Sequence, residues 1–198
     1  MTSTVKHTNT GINMNNTAVL VIDVQFGLIS TPPEAYRWQE VRQNINALLG
    51  SARDHGFPVI FIQHDSAIGT IVEPFSEGWQ LHPDVHRCDS DQIIRKTASD
   101  AFHETPLLSS LEKLQIKRLL ITGYATEFCV DTTVRRAASL GFETILVADA
   151  HTTKDRPFLQ AEQIIAHHNW VLQNIASPSQ PIQVKNLGEL DLHALRDQ

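Results

Sequence analysis

The sequence predicts an α/β fold with a parallel sheet covered by helices on both faces. Two observations carry this expectation. Short apolar runs rich in β-branched residues recur along the chain, continuous rather than alternating, as in strands buried on both sides. Segments with apolar residues at helical spacing separate them, so the chain reads as successive βαβ units. A chain of 198 residues, 41% hydrophobic and 19% charged, can bury the core such a sheet needs.

The elements follow in order. Residues 1–16 are polar, rich in Thr and Asn, and have no apolar centre; a flexible arm is expected there, neither signal peptide nor membrane anchor, with residues 17–198 forming a single domain. Ala18 to Ile22 is the first strand and ends at Asp23. After Pro32-Pro33, Trp38, Val41, Ile45, Leu48 and Ala52 mark one face of a helix that Gly56 closes. Val59 to Ile62 is the second strand, ending near Gln63, His64 and Asp65. Periodicity is lost from Ser66 to Asp91, and a loop of that length is expected to be functional or to cover something. Ile93-Ile94 is a short third strand leading to Arg95 and Lys96. Thr105-Pro106 reads as the cap and first residue of a helix carrying Leu107, Leu111 and Leu114. Leu119 to Thr122 is the fourth strand. Thr144 to Ala148 is the fifth, ending at Asp149, where a helix-capping role is expected. A helix is expected from Pro157 to Ile175, with Ile164, His168, Val171 and Ile175 on one face, and Ile182 to Val184 suits an edge strand.

Composition narrows the function. A net charge of −6 argues against a nucleic-acid or anionic-membrane surface. The two cysteines, Cys88 and Cys129, do not suggest a disulfide framework, so a reducing cytoplasm is expected. No apolar run approaches the ~18 residues of a spanning helix.

In open parallel sheets the site lies outside the carboxyl ends of the strands. That rule selects Asp23, His64 or Asp65, Lys96, the turn from Gly123 to Cys129, and Asp149. Thr126 reads as the N-cap of a helix with Val130, Val134, Ala137 and Ala138 on one face, which places Cys129 in its first turn. A thiol there is expected to have a lowered pKa, and the free first-turn N–H groups suit a developing oxyanion. A buried cysteine is also a common core residue. Asp23 and Lys96, each at or just beyond another strand end, could supply a proton acceptor and a countercharge, which a lone structural cysteine does not need.

The motifs Val21-Ile22-Asp23-Val24-Gln25, Ile94-Arg95-Lys96 with Ala101-Phe102, and above all Gly123-Tyr124-Ala125-Thr126-Glu127-Phe128-Cys129-Val130 make the chain similar to the isochorismatase-like cysteine hydrolases. The resemblance covers nearly all of the chain after the arm. It implies a Rossmann-like three-layer α/β/α sandwich with a central, mostly parallel sheet of about six strands, usually assembled as a homodimer or homotetramer. By the same resemblance Asp23, Lys96 and Cys129 form a catalytic triad. The resemblance also implies a cis Tyr124–Ala125 peptide and an oxyanion hole formed by the N–H groups of Ala125 and Cys129. The substrate is then a small-molecule amide, cleaved at its C–N bond through a thioester. A nicotinamidase-type or isochorismatase-type hydrolase, or a non-catalytic binding relative, are the alternatives.

No cofactor and no metal are expected. Nicotinamidases of the superfamily carry an Asp-x-His element after the second strand, whereas Asp65 here is followed by Ser66 and Ala67. Only His82, in Trp79-Gln80-Leu81-His82, matches a metal ligand of that group, and hydrogen bonding within the loop is the competing role for His82 and His64. Phe26, Trp79, Tyr124 and Phe128 are candidate pocket walls, since small-ligand sites are mostly apolar. His167 and His168 are expected to be structural.

Overall fold

The structure, a computed structural model, describes residues 15–178 and 180–196. Most of the expected arm lies outside the described residues. Asn15 and Asn16, its last two residues, are tied down: the Asn15 amide donates to the carbonyls of His55 and Gly56, and the Asn16 carbonyl accepts from the N–H groups of Lys117 and Arg118.

Six parallel strands form one sheet in the order β3-β2-β1-β4-β5-β6. They are β1 (Thr17–Ile22), β2 (Val59–His64), β3 (Gln92–Lys96), β4 (Arg118–Tyr124), β5 (Glu143–Thr152) and β6 (Gln183–Lys185). The helices are α1 (Phe26–Ser30), α2 (Trp38–Asp54), α3 (Leu107–Lys113), α4 (Asp131–Ser139), α5 (Ala161–Asn174) and α6 (Leu192–Arg196). Every residue of β1 is buried, and its side chains alternate between two cores. Val19 and Val21 pack with α2 and α6 on one face; Leu20 and Ile22 pack with α3, α4 and Leu172 of α5 on the other. This is the expected three-layer α/β/α sandwich. Among the described residues no helix is long and apolar enough to cross a membrane.

Several boundaries differ from the sequence reading. Helix α3 begins at Leu107, with Pro106 in the cap position; the Thr105 hydroxyl donates to the Ala101 carbonyl at 2.6 Å and accepts from the Leu107 N–H at 3.3 Å. Helix α5 begins at Ala161 rather than Pro157. Arg156 and Leu159 bond each other across a tight turn, Asp155 accepts from the Ala161 N–H, and Gln160 and Gln163 form a capping box. The buried face of α5 is Ala161, Ile164 and Leu172, with His168 only partly covered. Strand β5 runs past Asp149 to Thr152, so Asp149 caps no helix directly after β5; its side chain accepts instead from the Leu187 N–H at 2.8 Å.

The extension of β5 has a cause in the register. Ile121 pairs with Leu146, but Gly123 pairs with His151 and Tyr124 with Thr152, an irregularity that adds residues to β5. Gly123 also lies hard against β1. Its φ is +124°, and a Cβ there would stand 2.0 Å from the Ile22 carbonyl oxygen, so only glycine lets β4 end in this position.

Candidate active site

The chain builds β1, β2 and β3 outward in one direction and then returns to place β4 on the other side of β1. The crevice at this reversal is where an open parallel sheet offers a site. Asp23 follows β1 with φ 48°, and the turn that carries Cys129 follows β4, so the two flank the crevice. Lys96 ends β3, two strands from Asp23, and its long side chain reaches across the end of β2.

That reach brings the three predicted groups together. Lys96 Nζ lies 2.7 Å from Asp23 Oδ2 and 3.2 Å from Cys129 Sγ, and it donates to the Ala98 carbonyl at 3.0 Å. Asp23 and Lys96 are 1% and 2% exposed, so the pair is an ion pair removed from water. Asp23 Oδ1 is buried and has no hydrogen-bond partner, an acceptor left over beside the thiol. His64, which pairs in register with Lys96, stands 3.3 Å from Nζ through Nδ1. Burial and the lysine charge hold its pKa below the ordinary histidine value, so it joins the site as a neutral ring.

The expected low thiol pKa is overturned. Burial pushes the Cys129 thiol up to about 12, the Asp23 carboxylate adds to the rise, and the Lys96 ammonium opposes it only in part. Cys129 therefore rests as a thiol. The expected cap is absent as well. Residues Thr126–Val130 form a wide π turn rather than an α-helical first turn, with Ala125 in the cap position and Cys129 fourth. The Ala125 carbonyl accepts from both Phe128 and Val130, and the Tyr124–Ala125 peptide is cis. The Thr126 hydroxyl is turned inward to His151.

The aromatic candidates divide into two groups. Tyr124 and Phe128 belong to the end of β4 and the π turn that carries Cys129. Arg156 lies over the Phe128 ring at 5.1 Å, donates to Glu127 at 2.5 Å and bonds Tyr124, whose pKa burial raises. Phe128 is 52% exposed. Phe26, on α1, and Trp79, in the long loop, lie elsewhere. Phe26 faces His82 at 5.8 Å, and Trp79 is fixed by its N–H on Asp65 and by its carbonyl, which accepts from Gln25 and Gln63. The long loop, residues 66–91, is thereby stitched to the ends of β1 and β2.

The residues that match metal ligands elsewhere in the superfamily are committed to other bonds. Trp38 donates its indole N–H to His82 Nε2 at 3.2 Å, and Asp65 takes Arg95 as well as Trp79. Among the described residues no three His, Cys, Asp or Glu side chains converge. The donor set does not fit a metal. His168 bonds Asp131 at 3.0 Å, a structural role, and Cys88 is a free, exposed thiol.

A sequence model of the isochorismatase domain matches residues 17–171. The chain belongs to the isochorismatase family. It is 37% identical over 143 residues to a streptothricin hydrolase of Streptomyces noursei, covering 71% of this chain and 51% of that enzyme, so it spans about half the length of this relative. A crystal structure of an isochorismatase family protein superposes with a TM-score of 0.78 at 34% identity, covering 86% of this chain and 98% of that one. N-carbamoylsarcosine amidase from Thermoplasma acidophilum shares the fold, with a TM-score of 0.76 at 17% identity over 89% of this chain and 98% of that one.

Sequence reasoning missed Arg156 and His151. The last is fully buried, and burial lowers its pKa from 6.5 to about 4. The unfolded chain then binds more protons than the folded one between those values. Stability is expected to be unaffected by this group above pH 6.5 and to fall as the pH drops toward 4, by about 3 kcal/mol. Urea unfolding at pH 7 and pH 4.5 measures it, and the drop should be shallower in His151→Gln. An equal drop in both proteins would remove His151 as its source.

Proposed function

We propose that this hydrolase is a metal-independent cysteine amidohydrolase, contained in residues 17–198, that cleaves the C–N bond of a small, planar or cyclic amide through a thioester on Cys129. The observation that carries this reading is the convergence of Lys96 on both Asp23 and Cys129, at 2.7 and 3.2 Å. Because the thiol is protonated at rest, its proton moves to Asp23 as Sγ attacks the carbonyl carbon. Asp23 Oδ1, unpartnered and buried, is the acceptor at hand. Lys96 keeps the carboxylate ionic and favours sulfur as its negative charge grows. The carbonyl oxygen becomes an oxyanion on the N–H groups of Ala125 and Cys129. The C–N bond then breaks, and the leaving nitrogen takes the proton from Asp23. Water, losing a proton to Asp23, attacks the thioester and releases the acid and the free thiol.

Tyr124, Phe128, Phe26 and Trp79 are the pocket walls of this reading. The kinship with a streptothricin hydrolase supports a small-molecule substrate. Assembly into a homodimer or homotetramer is part of the proposal, since Phe158 and Trp170 are large apolar side chains that stand largely in solvent. The decisive experiment is a screen of small primary and cyclic amides, quenched in acid and read by mass spectrometry at the Cys129 peptide. An acyl adduct at Cys129, together with released amine or ammonia, is expected. Turnover of an amide with no adduct at any quench time would refute the thioester.

A further inference from the structure

We infer that His151 and Asn169 position the nucleophile turn through the Thr126 hydroxyl, and so hold the Ala125 and Cys129 N–H groups where the oxyanion forms. The inference rests on the thioester reading above. Thr126 and His151 are each 1% exposed, and three bonds define the link. Asn169 Nδ2, on α5, donates to the Ala148 carbonyl at 3.4 Å, which turns Asn169 Oδ1 toward the ring. His151 Nε2 stands 2.9 Å from that oxygen. An amide oxygen only accepts, so Nε2 carries the hydrogen. The neutral ring then presents Nδ1 as an acceptor, and the Thr126 hydroxyl, 2.8 Å away, donates to it.

Imidazole suits this place because it donates at one end and accepts at the other. The link therefore runs from α5 through β5 into the turn with every polar atom of the ring used. Its position depends on the irregular β4–β5 pairing that sets His151 opposite Gly123. Thr126 follows Ala125 directly and lies three residues before Cys129, so its hydroxyl anchors the segment between the two oxyanion donors. The Thr126 hydroxyl caps no helix and is turned instead to this inward bond with His151. His151 and Asn169 touch no reacting atom in this arrangement and act through the turn.

Two probes that need no knowledge of the natural amide separate positioning from mere support of the fold. Acylation of Cys129 by p-nitrophenyl acetate forms a carbon–sulfur bond, breaks the carbon–oxygen bond to p-nitrophenolate, and passes through an oxyanion. Alkylation by iodoacetamide at pH 9 forms a carbon–sulfur bond with loss of iodide and needs no oxyanion hole. In Thr126→Val, acylation is expected to slow about a hundredfold, as for a misplacement of about 1 Å, while alkylation changes less than about threefold. Thr126→Ser, which keeps the hydroxyl, should restore acylation to within about threefold of wild type. Asn169→Ala should slow acylation in the same direction but less, because loss of the Nε2 acceptor frees the ring to swap its proton.

Equal losses in acylation and alkylation would show a turn that has simply come apart and would overturn the inference. So would wild-type acylation in Thr126→Val, or a Thr126→Ser protein as slow as Thr126→Val. Failure of the underlying thioester reading looks different: Cys129→Ala would then release p-nitrophenolate as fast as wild type.

Discussion

Cys129→Ala is expected to lose turnover of any amide substrate by about 10⁴-fold or more, the scale on which removing a nucleophile that works as part of a unit lowers the rate. The fold should survive. Cys129 is only partly buried, packs at the edge of the core that holds Val130 and Val134, and sits where alanine is well tolerated. Its thermal midpoint should lie within a few degrees of wild type. Steady-state release of amine or ammonia, measured beside a melting curve, separates the two effects. A folded Cys129→Ala protein that keeps a tenth of its activity would exclude sulfur as the nucleophile, and the site would then have to work through an activated water.

Lys96→Met is expected to be the most destabilising single substitution in the site. It leaves the Asp23 carboxylate buried without its ion-pair partner, a change that costs about 3–5 kcal/mol. In a chain of this size that corresponds to a fall of roughly 10 °C in Tm. Acylation of Cys129 should also slow, because Lys96 is the group that lowers the thiol's pKa against burial and against Asp23. The double variant Asp23→Asn with Lys96→Met removes both charges and should regain much of the lost stability without regaining activity. Chemical denaturation of the three proteins tests this. A Lys96→Met protein within about 1 kcal/mol of wild type would mean that water reaches Asp23, contrary to its burial.

Much of the site was legible because a parallel sheet concentrates function at one end. Asp23, Lys96 and Cys129 each lie at or just beyond the close of an apolar run, and a rule that ignores chemistry selects them together. Their mutual distances were not legible. Lys96 leaves β3 two strands away from Asp23, and only the sheet order puts its ammonium between the carboxylate and the thiol. The start of α5 was misplaced for a local reason, since Arg156 and Leu159 close a turn that periodicity does not register.

Two properties of Cys129 show the division most plainly. That a cysteine follows a glycine-ended strand is written in the sequence, because strand, turn and helix each leave a short-range pattern of apolar and small residues. Its acidity is not. Position in a turn argued for a low pKa, while burial and the facing Asp23 carboxylate raise it to about 12, and both depend on residues more than a hundred positions apart in the chain. The same holds for His151. As a residue type it is visible, but the irregular pairing of β4 with β5 decides that it lies behind the turn, bonded to Thr126 on one side and Asn169 on the other. Sequence by itself determined the elements and the reactive groups, whose signals are local. Tertiary structure decided their protonation and their partners, because desolvation and hydrogen-bond geometry arise only when distant segments pack.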